Sequence, residues 1–142
     1  MNLKFSKFNG KSEFLKIVLS IRKEVFVEEQ QIDASLEFDG LDKTCIHYLA
    51  FKDKLPVATC RLRITKEGLK LERFAVLKSY RKKGIGKLLL SEILNDNINK
   101  HEIIYLNSQY SALNFYKNNG FNICGSKFYE AGIEHYKMIY SK

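Results

Sequence analysis

The chain has 142 residues, 45% of them hydrophobic and 28% charged, with a formal net charge of +8. That length supports one domain around one core, and no apolar run approaches the roughly 20 residues of a membrane span. The positive charge invites a nucleic-acid partner, but the lysines and arginines are scattered. No homeodomain, zinc-finger or single-strand-binding motif accompanies them, so neither a nucleic acid nor a membrane is expected as a partner. Cys45, Cys60 and Cys124 are odd in number and lack CxxC or metal-ligand spacing, which argues for reduced thiols and no metal site. The opening Met1-Asn2-Leu3-Lys4-Phe5-Ser6-Lys7-Phe8 alternates like a strand and lacks the apolar block of a secretory signal, so a cytoplasmic location is expected.

Taken in order, residues 3–8 read as a strand. In residues 12–27 the apolar positions Phe14, Ile17, Val18, Ile21 and Val25 recur at helical steps. Residues 28–43 are polar and acidic, a loop with a short helical turn. Residues 46–51 form a strand, Lys52-Asp53-Lys54 a tight turn, and Pro56 opens the next strand, where its missing N–H is tolerated. Lys66-Glu67-Gly68 turns the chain into a strand over residues 69–76. A helix follows with Ile85, Leu88, Leu89 and Ile93 on one face. Ile103-Ile104-Tyr105-Leu106 is a short, continuously apolar strand, as in a sheet covered on both sides. Residues 111–118 form a helix stopped by Asn119-Gly120, and residues 121–127 and 134–140 are strands. The order predicts an α/β (α+β) domain over residues 1–142, with a mixed, mostly antiparallel sheet of about seven strands flanked by helices.

The densest local signal is Leu71-Glu72-Arg73-Phe74-Ala75-Val76, a turn, then Arg81-Lys82-Lys83-Gly84-Ile85-Gly86-Lys87 entering an amphipathic helix. A helix N-terminus offers unpaired N–H groups and the positive end of the dipole, which suits a phosphate. Gly84 and Gly86 leave room for a bulky anion, and four basic side chains surround them. A Walker loop would need four residues between its glycines and a Lys-Ser/Thr ending. A dinucleotide fingerprint would need a third glycine where Leu89 stands.

The spacing Arg-x-x-Gly-x-Gly after a strand ending in Ala-Val resembles motif A of the GNAT N-acetyltransferase superfamily, which binds acetyl-coenzyme A. Gln109-Tyr110-Ser111-Ala112-Leu113-Asn114-Phe115-Tyr116, followed by Gly120-Phe121, resembles motif B, with Gln109 where asparagine is common. Glu130-Ala131-Gly132-Ile133-Glu134-His135 resembles a segment of the ElaA-like branch of small bacterial acetyltransferases, departing from it at Glu134, where proline is usual. Arg22 to Gln30, and Glu37-Phe38-Asp39 with Asp42, extend that likeness over nearly the whole chain. The resemblance implies acetyl-CoA as co-substrate, held by Phe74, Ala75, Val76, Arg81, Lys82, Lys83, Gly84, Ile85, Gly86, Lys87, Gln109, Asn114 and Tyr116. It implies a small-molecule or peptide amine as acceptor, and it allows a homodimer.

By the same resemblance Tyr116 protonates the departing thiolate, a reasonable task for a positioned phenol; the alternative is a tyrosine that merely packs on the sheet. The group that takes the proton from the amine is one of His135, Glu72, His47 or His101, or water. His135 is implied by the resemblance to enter the pocket, and an imidazole ordinarily titrates near pH 6.5, about where a base is useful. Glu72 is expected to share a strand face with Phe74 and Val76 by simple alternation. Arg22 and Arg73 either clamp an anionic group of the acceptor or serve as ordinary ion pairs. Three functions therefore stand: an N-acetyltransferase, an acyltransferase with another acyl group or acceptor, and a catalytically silent CoA-binding module.

Overall fold

The computed structural model describes residues 2–142. Eight strands form one mixed sheet: β1 (Leu3–Asn9), β2 (Ile46–Lys52), β3 (Leu55–Ile64), β4 (Leu69–Val76), β5 (Ile104–Gln109), β6 (Phe121–Ile123), β7 (Phe128–Glu130) and β8 (Ile133–Tyr140). Their order is β1-β2-β3-β4-β5-β8-β6, with β7 also on β8. Among the described residues only the β4–β5 pair is parallel, as the intervening helix demands. Helices α1 (Leu15–Arg22), α2 (Ala34–Glu37), α3 (Ile85–Asn97) and α4 (Leu113–Lys117) flank the sheet.

Of the strand expected over residues 121–127 only Phe121–Ile123 forms, and β7 (Phe128–Glu130) follows as a strand that was not expected. Gly125, at φ +94°, breaks the expected strand, and β6 and β7 then pair with successive stretches of β8. Ala131 (φ +51°) and Gly132 (φ +75°) make the two-residue turn from β7 to β8, so that loop is tight without the proline. The first helix changes character at Lys23 and runs to Glu29 as a π-helix, closed by a five-back bond from Gln30 N–H to Val25 O at 3.2 Å. The wider turn buries Val25 and Phe26 side by side.

Two apolar layers sandwich the sheet. The larger joins Ile85, Leu89, Leu90, Ile93 and Leu94 of α3 to Cys60, Leu62, Leu69, Leu71 and Leu106. Leu90 and Leu94 occupy the α3 face where Leu88 was expected; Leu88 is 44% exposed. The smaller layer packs Val18, Ile21, Val25 and Phe26 against Leu49 and Ala75.

One irregularity positions everything that follows. Thr59 faces Ala75 and Arg61 faces Glu72, so three residues of β4 span two of β3. The extra residue is Arg73, at φ +54°, a β-bulge that reverses the side-chain parity of the strand. Phe74 and Val76 therefore pack in the α3 layer and Ala75 in the α1 layer. Glu72 lies on the α1 face with Arg61, not beside Phe74 and Val76 as alternation predicts.

Candidate active site

Beside the bulge the parallel strands part. Pairing of β4 with β5 covers only Leu69–Leu71 against Ile104–Leu106. Beyond it, β5 pairs with β8 as far as Gln109, while β4 leaves its β5-facing edge unpaired from Glu72 onward. The gap is the floor of a cleft of about 1080 Å³ lined by Phe74, Val76, Ser108, Gln109, Tyr116 and His135 among others.

At one end of the cleft stands the N-terminus of α3. Gly84 is its cap residue, at φ +83°, and provides no side-chain cap. Among the described residues no protein group accepts a hydrogen bond from the backbone N–H groups of residues 82–87; the first such bond is Leu88 N–H to Gly84 O at 3.1 Å. A Cβ on Gly84 would meet nothing within 4 Å, and one on Gly86 would touch Val76 and Phe115 at 3.5 Å. The donors are thus free and the space before them is open, the condition for seating an anion.

Tyr116 reaches the cleft from the α3 side of the sheet. Its ring stands edge-on to Phe74, Phe115 and Phe121 at centroid distances of 6.1, 5.1 and 5.7 Å. Burial, with the Cys60 thiol adding to it, pushes the phenol well above its ordinary value. The hydroxyl therefore stays protonated, with a proton to donate, at any physiological pH.

His135 stands opposite Gln109 in the β5–β8 ladder. Gln109 donates to Gln30 Oε1 at 2.8 Å on the α1 side, whereas the neighbouring Tyr136 and Met138 pack in the α3 layer. His135 and Tyr116 thus occupy opposite faces and meet only through the gap. Stacked on Phe128 at 5.8 Å, the imidazole donates from Nδ1 to Ile133 O at 2.7 Å. That tautomer leaves a lone pair on Nε2, which lies 3.9 Å from Glu130 Oε2.

Several expected site residues lie outside the cleft or are engaged within the protein. Arg22 is fully buried; it donates to Glu37 at 2.8 Å and Asp42 at 2.5 Å, so it cannot clamp an acceptor. Glu72 cannot serve as the base. It accepts from Arg61 at 2.5 Å and Arg63 at 2.7 Å, with Lys70 at 3.1 Å, and its carboxyl is held down at about 2 despite burial. Asn114 is exposed and outside the cleft, because helical rotation brings Ala112, Phe115, Tyr116 and Asn119 to the lining and turns Asn114 away. Lys83 also misses the lining; its ammonium lies 5.4 Å from the Tyr80 ring centroid. Arg81 lines the cleft but forks onto Glu29 at 2.6 and 2.7 Å and donates to Val76 O at 2.9 Å. Arg73 also lines it, paired with Glu37 at 3.1 Å and Asp39 at 3.4 Å. His47 is fully buried on the α1 face, bonded through Nε2 to Asp42 O at 2.8 Å. Gln30, Asn107 and Glu130 line the cleft without having been singled out; Glu130 stood inside the quoted Glu-Ala-Gly-Ile segment.

Comparison with known proteins agrees with this architecture. The family model described as "Acetyltransferase (GNAT) domain" matches residues 16–142. The protein YyaT of Bacillus subtilis is 40% identical over 124 residues, 84% of each chain. The N-acetyltransferase YjcF of the same organism is 35% identical over 129 residues, 89% of this chain and 92% of its own. The crystal structure of Escherichia coli ElaA superposes with a TM-score of 0.87 at 25% identity, covering 99% of this chain and 100% of that one.

Proposed function

Because the chain belongs to the GNAT acetyltransferase family, we propose that it moves the acetyl group of acetyl-CoA directly to a primary amine of a small molecule or peptide. The observation that carries this reading is the gap between β4 and β5. It joins a free set of amide donors on one face of the sheet to an imidazole with a free lone pair on the other. The residues fit the co-substrate. The amides of residues 82–87, with Lys82 and Lys87, suit its pyrophosphate. The unpaired edge of β4 suits the amides of an extended pantetheine arm, which would pair there as an added strand. The fit requires neither Asn114 nor Lys83. The three free thiols accord with a reducing compartment such as the cytoplasm.

In the reaction the amine nitrogen bonds to the thioester carbonyl carbon as the carbon–sulfur bond breaks. Sulfur leaves with the electron pair and receives a proton by way of Tyr116 Oη. The arriving ammonium first gives one proton to His135 Nε2, which Ile133 O orients through Nδ1, and His135 passes it to water. The second proton, shed by the nitrogen as it bonds to carbon, returns through water to Tyr116 in place of the one given to sulfur. No enzyme nucleophile is needed, since the acceptor itself attacks. A screen of amines with acetyl-CoA, reading thiol release, tests the proposal. Tyr116→Phe should lower kcat by roughly 10²-fold with acetyl-CoA affinity unchanged. His135→Ala should remove the ascending limb of the pH profile of kcat/KM, which Glu72→Gln should leave in place. Acetyl-CoA binding without thiol release to any amine would instead mark a silent binding module.

A further inference from the structure

The acceptor's chemistry can be read from which charges in the cleft are already neutralised; this inference rests on the transferase reading. Eight charged residues line the cleft: Glu37, Lys70, Glu72, Arg73, Arg81, Lys82, Lys87 and Glu130. Five of them are paired inside the protein. Glu37 holds Arg73 and Arg22, Glu72 holds Lys70 with Arg61 and Arg63, and Glu29 holds Arg81. Lys82 and Lys87, beside α3, have no carboxylate partner among the described residues. Across the gap the remaining charge is Glu130 on β7, which has no lysine or arginine partner among the described residues. Its carboxylate is half exposed, accepts from Asn107 Nδ2 at 3.4 Å and faces His135 Nε2. The walls nearby are apolar: Val25, Phe26, Ile32 and Leu36 on the π-helix side, and Ile133 beyond the β7–β8 turn.

We propose that the acceptor is a primary amine borne on an apolar body with no acidic group, and that Glu130 is the residue that selects it. A primary alkylamine arrives as an ammonium at neutral pH. Glu130 attracts that cation and sets it beside Nε2, the atom that must take its proton. A carboxylate or phosphate on the same molecule would find no free cation on this side of the gap, because Arg22 and Arg73 are committed to Glu37. It would also meet Glu130 as a like charge, and burying it unpaired is costly. A polyamine would satisfy Glu130 and leave the apolar walls facing water or a second ammonium.

Three ligands separate these features: 2-phenylethylamine, phenylalanine (the same body with a carboxylate) and butane-1,4-diamine (the amine without the apolar body). Each is titrated by calorimetry into protein saturated with CoA, and the same samples with acetyl-CoA are followed for thiol release. 2-Phenylethylamine should bind at least about tenfold more tightly than either of the others, the scale of one charge-assisted contact. Glu130→Gln should weaken 2-phenylethylamine by about tenfold, leave phenylalanine no weaker and leave CoA affinity unchanged. Phenylalanine or the diamine binding as tightly as 2-phenylethylamine, or an unaltered preference in Glu130→Gln, overturns the proposal. The expected binding order without thiol release upholds the pocket's selectivity and counts against the transferase reading alone.

Discussion

The protein has two concentrations of positive charge, and they are put to opposite uses. Beneath β3 and β4, Arg22 and Arg61 are buried and every guanidinium nitrogen points at a carboxylate or carbonyl of Glu37, Asp39, Asp42 or Glu72. At the start of α3, Lys82, Lys87 and the amides of residues 82–87 have no hydrogen-bond or ion-pair partner among the described residues. The first group is an internal fastening that ties the 37–42 loop and α1 to the sheet, and the second is held open for something outside the chain. Residue type does not distinguish them; the presence of acids within reach does.

Breaking the fastening should have the largest effect. Arg61→Ala takes the common partner from the buried Asp42 and Glu72 and from the more exposed Asp39, and should cost about 3–5 kcal/mol. In a domain of this size that is a fall in Tm of roughly 10 °C or more, read by thermal unfolding. An unchanged Tm would mean the cluster is idle. Acid should loosen the same fastening. The Glu72 carboxyl is depressed from 4.5 to about 2 in the folded protein, so its stabilisation is complete above its ordinary value and is lost as pH falls through about 2. Unfolding free energy should drop across that window by roughly 3 kcal/mol from this group, and Glu72→Gln should flatten the decline.

The open group should respond in binding and not in stability. Gly84→Asp puts a negative charge where the anion would sit, on a residue type that tolerates the left-handed backbone better than most. Acetyl-CoA affinity by calorimetry should fall by roughly 10²-fold or more with little change in Tm, while Gly84→Asn should lose only about tenfold. The smallest effect belongs to Lys87→Ala, a loss of about three- to fivefold at low salt that shrinks as ionic strength rises. If Lys87→Ala lowered Tm as Arg61→Ala should, the contrast between the two groups would collapse.

Most of the architecture was legible because hydrophobic periodicity and turn chemistry are local. The strand, glycine turn and helix over residues 69–97 needed no distant information, and neither did Asn119-Gly120 as a stop. Side-chain direction was less legible. One left-handed residue at Arg73 moved Glu72 to the other face, and nothing in Glu72-Arg73-Phe74 announces a bulge. The change at Lys23 to π geometry was equally silent. The ion cluster left a usable trace: Arg61 interrupts an otherwise apolar stretch of β3, and Glu37, Asp39 and Asp42 are crowded into one loop. Buried arginines require nearby acids, so the pairing could have been inferred and Arg22 withdrawn as a substrate ligand. Asn114 was misplaced for a plainer reason, since two residues before Tyr116 on a helix is the far side.

The bulge at Arg73 also makes the gap depend on a count of one residue. With position 73 deleted, β4 would alternate strictly, with Glu72 still opposite Arg61 and Ala75 still opposite Thr59. Glu72 and Ala75 would keep the α1 face and Phe74 the α3 face, without the kink that now separates them. Nothing would then force β4 away from β5, and the two could zip together past Leu71 and Leu106. Such a chain would keep every hydrophobic residue of its core and every residue of the glycine turn. It would be a sheet sealed between its two faces, a wall where this protein has a doorway.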